Sequence, residues 1–153
     1  MNVAIKNIAP LRVASVRHTG PYQECGTAWN TLCAWAGPKG LMGPNTRFLG
    51  LGYDNPEITP PEAIRYDACI TVAEDVEAEG QVKIMEAFGG DYAVCMHQGP
   101  YEGLMEVYNY LYGPWMAQSG REYAESPAIE EYLNDPNTTP PEELRTAIYV
   151  PLK

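Results

Sequence analysis

His18-Thr19-Gly20-Pro21-Tyr22 recurs as His97-Gln98-Gly99-Pro100-Tyr101, at an offset of 79 residues. A second block returns in the same order. Asp54-Asn55-Pro56 and Thr59-Pro60-Pro61-Glu62 become Asn134-Asp135-Pro136 and Thr139-Pro140-Pro141-Glu142, now 80 residues on. Arg65 matches Arg145, and upstream Val3 and Ile5 match Val82 and Ile84. Ordered matches at a nearly constant offset are the mark of an internal repeat. The chain of 153 residues is therefore read as one domain of two modules, residues 1–73 and 80–153. The acidic stretch Ala73–Gly80 joins them, with residues 74–79 as the linker. The offset grows by one, so one residue is expected to be inserted in the second half after its helix.

Both halves follow one plan. Short strands over Val3–Asn7 and Val82–Ala87 lead through turns into strands over Arg12–Thr19 and Asp91–Gln98. Gly89-Gly90-Asp91 reads as a hairpin turn. Gly20-Pro21 and Gly99-Pro100 stop a strand and open a helix, since proline is tolerated in the first helical turn. The helices are expected over Tyr22–Ala36 and Tyr101–Ala117. In the second, Leu104, Val107, Tyr108, Leu111 and Trp115 share a face; in the first, Cys25, Ala28, Trp29 and Leu32 do. A strand, a proline-rich turn and a last strand (Arg65–Val72, Arg145–Leu152) complete each half. The expected fold is α+β: two pseudo-symmetric strand-helix-strand-strand modules, about eight mainly antiparallel strands with two helices on one face. A ligand cleft is expected where the modules meet.

Composition narrows the function. Twenty Asp and Glu against ten Lys and Arg give a net charge of −10. Nucleic-acid binding needs clustered Lys and Arg, and an anionic membrane attracts the same residues. Neither partner suits this chain. No apolar run reaches transmembrane or signal-peptide length, so a cytoplasmic location is expected. Cys25, Cys33, Cys69 and Cys95 form no CxxC pair and have no zinc spacing with His18 or His97. Free thiols, no metal and no cofactor are expected. No nucleophile elbow, phosphate-binding loop or paired-carboxylate signature occurs, which favours a binding domain over an enzyme.

A repeat carries its own control, because positions that differ between the copies are candidates for function. Phe48-Leu49-Gly50-Leu51-Gly52-Tyr53 aligns with Ala128-Ile129-Glu130-Glu131-Tyr132-Leu133 at the offset of 80. Glu130 replaces Gly50, and Tyr132 replaces Gly52. Residues 130 and 132 share one face of a strand and Glu131 points the other way. A one-residue register shift would exchange Glu130 and Glu131, and a solvated strand-face glutamate is the plain alternative. The glycines would let something approach closely on the opposite side of the pseudo-axis, the layout of a pocket floor. Eleven Tyr and three Trp against two Phe supply rings with polar handles, suited to the walls of a site for organic cations. Tyr108, Tyr112, Trp115, Tyr132 and Tyr149 are the candidates. His18 and His97, being duplicated, are read as structural, each bonding into its following loop. Asp67, where the second half has Ala147, is expected to pair with Arg65 or Arg145.

Several of these stretches together resemble the GyrI-like small-molecule-binding family. It includes the DNA gyrase inhibitory protein and the effector domains of some AraC-type and MerR-type regulators. Tyr53-Asp54-Asn55-Pro56 with Thr59-Pro60 and Arg65-Tyr66-Asp67 is similar to its first-module signature. Gly90-Asp91-Tyr92-Ala93-Val94, Gly99-Pro100-Tyr101 and Ile129-Glu130-Glu131-Tyr132-Leu133-Asn134 are similar to its second. The resemblance implies a pocket between the modules in which an acidic residue receives cationic lipophilic compounds, and that residue falls on Glu130. It also implies two alternatives. One is hydrolysis of cyclopropane-type electrophiles, with Glu130, Tyr132 and Trp115 as candidate catalytic groups. The other is a protein partner such as DNA gyrase. No helix-turn-helix is present, so a stand-alone member is expected.

Overall fold

Each His-x-Gly-Pro-Tyr block ends a strand and begins a helix, and both copies do so in the same way. Gly20 and Gly99 take φ of +140° and +133°, values that a side chain would oppose. His18 Nε2–H donates to the Pro21 carbonyl and His97 Nε2–H to the Pro100 carbonyl, both at 2.9 Å. The duplicated histidines hold these loops shut. A 3₁₀ turn follows in each half, Tyr22–Glu24 and Tyr101–Gly103.

The computed structural model describes residues 1–153. The strands are β1 Val3–Ile8, β2 Leu11–Thr19, β3 Phe48–Gly52, β4 Arg65–Thr71, β5 Lys83–Ala87, β6 Gly90–Gln98, β7 Ala128–Tyr132 and β8 Arg145–Leu152. Helix α1 is Gly26–Ala36 and α2 is Leu104–Tyr110. Helix α2 runs on through a π turn, Leu111–Trp115, into α3, Met116–Ser119. All eight strands form one antiparallel sheet in the order β1-β6-β8-β7-β3-β4-β2-β5. Exchanging each strand for its repeat partner and reversing the order gives the same list.

The structure corrects the location of the extra residue. Leu32 and Leu111 are both fully buried, 79 apart, whereas the next buried positions, Ala36 and Met116, are 80 apart. The added residue therefore sits inside the helix, in the π turn, and not after it. A π turn accommodates an extra residue within a helix, and Pro114 there has no N–H to place in an ordinary helical bond. Trp115 still packs with Leu111 in the core under this helix, as the predicted helical face requires.

The hairpin expected at Gly89-Gly90-Asp91 does not form. Phe88, Gly89 and Gly90 do have positive φ (68°, 96° and 149°). Yet β5 pairs with β2, and β6 pairs with β1. Ile8 faces Gly90 and Leu11 faces Ala87, so one antiparallel ribbon runs through both connections. The glycines turn a corner in that ribbon instead of reversing the chain. Gly89 N–H donates to the Ile8 carbonyl at 3.1 Å, fastening the two corners together. The sheet thereby curls into a half-barrel. Inside the curl, Leu49, Leu51, Ile129 and Tyr149 pack with Phe88 and Tyr92. On the outer face α1 covers Ala14, Ala68 and Ile70, while α2 and α3 cover Ala93, Cys95, Ile148 and Val150. Strands β4 and β8, which flank the central pair β3 and β7, are covered on both faces and so read as nearly unbroken buried runs.

Asp67 points into the curl and pairs with neither Arg65 nor Arg145. Arg17, directly opposite on β2, makes a bidentate ion pair with it, and Tyr53 Oη donates at 2.7 Å. Arg65 shares a strand face with Asp67, but its guanidinium is held by Asp54, and Arg17 lies directly opposite Asp67, where Cβ atoms are only ~4.5–5.5 Å apart. Cys69 and Cys95 are buried, Cys25 and Cys33 partly so, and all four are free.

Candidate functional site

Strands β3 and β7 lie side by side at the middle of the sheet, with Gly50 opposite Glu130. The repeat offset of 80 makes these two positions equivalent. The pseudo-twofold axis passes between them, and a residue placed there meets its own copy. Two glutamates would set like charges directly opposite one another, which is destabilising. The pair must be asymmetric if it is to carry one carboxylate.

Gly50 also makes room. A Cβ built on it would lie 2.6 Å from Tyr132 Oη and closer still to Tyr66 Oη. The two phenols occupy the volume that a side chain would take. There they form a chain of donors: Trp29 Nε1–H donates to Tyr66 Oη at 3.1 Å, Tyr66 to Tyr132 Oη at 2.7 Å, and Tyr132 to Glu130 Oε1 at 2.8 Å. Tyr108 donates to Glu130 Oε2 at 2.7 Å. Both carboxylate oxygens are held, each by one phenol.

These rings line a cleft of about 1930 Å³. Its walls come from α1 and α2, its floor from Gly50, Gly52, Glu130 and Tyr132. No Lys, Arg or His lines it. Glu130 is half-buried and lines the cleft. Burial pushes the Glu130 carboxyl above its ordinary value, and the Tyr108 and Tyr132 bonds offset part of that. Burial and then the Glu130 charge push the Tyr108 and Tyr132 hydroxyls well above theirs, so both remain donors. The ring packing is edge-on: Trp29 and Tyr101 each meet Tyr132 at 5.8 Å between centroids.

Glu131 is on the opposite face, inside the curl. Arg47 donates to it at 2.7 and 2.9 Å and Tyr149 at 2.9 Å. Burial raises its carboxyl, but Arg47 and Tyr149 outweigh this and the net shift is downward. Its charge is already neutralised by Arg47, unlike that of Glu130.

The structure thus brings Glu130, Tyr132, Tyr108, Tyr112, Gly50 and Gly52 to one cleft. It leaves out Tyr149, which bonds Glu131 on the other face, and Trp115, which packs in the core with Val107 and Leu111. Sequence reasoning missed Trp29 and Tyr66. The repeat held a signal for both: Trp29 aligns with Tyr108 at 79, and Tyr66 aligns with Thr146 at 80, a second sharp asymmetry. No group of three or more His, Cys, Asp or Glu converges as metal ligands would.

The GyrI-like small molecule binding domain matches residues 1–153. The chain belongs to the GyrI-like family. This GyrI-like chain is 31% identical to the probable transcriptional regulator YgiV of Escherichia coli K12 over 154 aligned positions, covering 99% of this chain and 96% of YgiV. It is 31% identical to a DNA gyrase inhibitor of Edwardsiella piscicida, covering 88% of each. Among solved structures, the EcmrR C-terminal domain superposes with a TM-score of 0.79 at 19% identity, over 99% of this chain and 97% of that one. SAV2435, solved bound to tetraphenylphosphonium, superposes with a TM-score of 0.63 at 16% identity, over 100% and 94%.

Proposed function

We propose that this GyrI-like domain binds amphipathic cationic small molecules in the cleft, with Glu130 as the counter-charge, in sensing or sequestration. One observation carries this. Glu130 is a carboxylate at the floor of a ring-lined cleft that holds no basic side chain, and every hydrogen-bond partner it has is neutral. A lipophilic cation entering the cleft meets both a charge partner and aromatic faces. The tetraphenylphosphonium seen in SAV2435, a chain of the same fold, is of this chemical type.

Titrating the protein with tetraphenylphosphonium, followed by tyrosine and tryptophan fluorescence, tests the reading. Glu130→Gln keeps the shape and removes the charge, and should weaken binding roughly ten- to a hundredfold, the worth of a charge-assisted contact. Unchanged affinity would remove Glu130 from the role.

A second reading is favoured by the phenols on both Glu130 oxygens. A carboxylate set among proton donors could activate water against an electrophilic, cyclopropane-type substrate, with Glu130 as base and Tyr132 as donor. Product formation followed by mass spectrometry decides it, and Glu130→Gln should abolish any turnover. A third rests on the relatives named DNA gyrase inhibitor. A supercoiling assay with gyrase, unaffected by stoichiometric protein, would dispose of it.

A further inference from the structure

The cleft is larger and more unevenly charged than one cation requires. Its volume of about 1930 Å³ exceeds the ~300–1,000 Å³ of ordinary small-molecule pockets. Six carboxylates line it and no basic group does. Seven of the ten exposed large apolar side chains border it, Met42, Ile58, Met105 and Leu133 among them. An apolar groove with acidic edges complements an apolar ligand with positive ends.

The repeat shows where a second positive end would sit. In the first half, Asp54 takes two donor bonds from Arg65, both at 3.0 Å, and the next residue, Asn55, closes the turn by accepting from Glu57 N–H at 2.9 Å. In the second half the charge has moved one place. Asn134 stands where Asp54 was and accepts from Arg145 N–H at 2.9 Å. Asp135 stands where Asn55 was and closes the same turn by accepting from Asn137 N–H at 2.8 Å. Arg145 and Asp135 both lack ion pairs. The turn needs only a side-chain oxygen, which Asn55 supplies equally well in the first half. The negative charge of Asp135 therefore has no structural use, and it lies on the cleft wall. Beside it stands Tyr101, edge-on to Tyr132 at 5.8 Å, with its hydroxyl raised by burial and then by the charges of Glu130 and Asp135. Tyr101 and Asp135 line the same cleft, and the Tyr101 ring faces Tyr132, which bonds Glu130. Residue 135 is five chain steps from 130, so their Cα atoms are at most ~18 Å apart.

We propose that the cleft takes an elongated amphipathic ligand with two cationic centres, one on Glu130 at the floor and one at Asp135 beside Tyr101 at the mouth. This rests on the reading of Glu130 as a cation's counter-charge and extends it to the class of ligand.

A matched pair of probes tests it: a decane-linked bis-quinolinium dication and the corresponding decyl-quinolinium monocation, titrated by fluorescence quenching at constant ionic strength. In the unaltered protein the dication should bind about tenfold tighter, from one partly exposed ion pair and one cation–π contact. The variant Asn134→Asp/Asp135→Asn restores the first-half arrangement, keeps the net charge and preserves the turn acceptor. It should cut the dication's advantage to about twofold, the statistical gain of two equivalent ends, and leave the monocation unchanged. Glu130→Gln should weaken both probes. A dication with no advantage, or an advantage that survives in the swapped variant, overturns the proposal even if monocation binding still depends on Glu130. Monocation binding that ignores Glu130 overturns the parent reading as well.

Discussion

Replacing Gly50 with alanine tests the geometry of the whole site with one methyl group. The added Cβ would sit 2.6 Å from Tyr132 Oη and nearer still to Tyr66 Oη. Both side chains are packed among other rings, Tyr66 being only 4% exposed, so neither can swing away freely. Overpacking of this kind costs ~1–3 kcal/mol. Displacing the phenols also disturbs the Tyr66–Tyr132 and Tyr132–Glu130 bonds, worth ~0.5–1.5 kcal/mol for a neutral pair and more beside a charge. Alanine returns ~0.4–1 kcal/mol through the unfolded chain, since Gly50 does not have positive φ. The net cost is about 3 kcal/mol, and the melting temperature should fall by roughly 6–12 °C. Gly52→Ala is the control. Its Cβ would meet only Tyr22 Oη, at 3.3 Å, and the change should cost under ~1 kcal/mol. Thermal melts of both variants, with tetraphenylphosphonium titrations beside them, give the comparison. If the two variants melt alike and bind alike, Gly50 is not making room for the phenols and the account of the axial pair is wrong.

Other expectations follow from the same contacts. Burial raises the Glu130 carboxyl above its ordinary 4.5. As pH climbs through that window the unfolded chain releases this proton before the folded chain does, so Glu130 costs stability on the alkaline side. Glu130→Gln should therefore melt higher than the unaltered protein near neutral pH, with the gap closing toward about pH 4; a gap that widens on acidification would reverse the argument. Arg47→Met removes the cation from Glu131, which is 8% exposed. The loss should be about 2–3 kcal/mol in chemical denaturation, below the figure for a fully buried pair because Arg47 is over a third exposed. Tyr149→Phe lies on the inner face and should leave cation affinity unchanged. Tyr66→Phe, which removes the donor behind Tyr132, should weaken it by about threefold to tenfold.

How much of this could be read from the chain depended on whether the signal was local. The repeat, the antiparallel strands and the Gly50–Glu130 asymmetry are properties of residue identity at fixed spacing, and they carried the fold and the central carboxylate. The pairing of β5 with β2 did not show, because Phe88, Gly89 and Gly90 specify only that the chain bends. Whether a bend closes a hairpin or turns a corner is decided by which strand lies alongside, and that partner is about 70 residues away in sequence. Trp115 shares the predicted face with Leu111, but that face turns to the core and not to the cleft. Helical periodicity groups residues on a face and does not say which of them borders a cavity. Asp67 illustrates a third limit: its partner Arg17 belongs to another strand, whereas the arginines suggested by sequence lie in its own last strand or that strand's copy.

The ribbon formed by β1 with β6 and β2 with β5 has a consequence for how such a chain could arise and be taken apart. Each half lends its first strand to the other, so neither half alone has a complete sheet. A single copy could satisfy its edge only by exchanging that strand with a second copy, as in a domain-swapped dimer. The covalent chain has the connectivity of such a pair joined end to end, and the joining segment also docks on the first half, where Arg12 donates to the Val76 carbonyl and Trp35 to Glu79. Cutting there should give two fragments that copurify and co-melt, and that part only when denatured. One continuous chain also permits what a symmetric dimer cannot: the two residues on the axis differ, one a glycine and the other a glutamate.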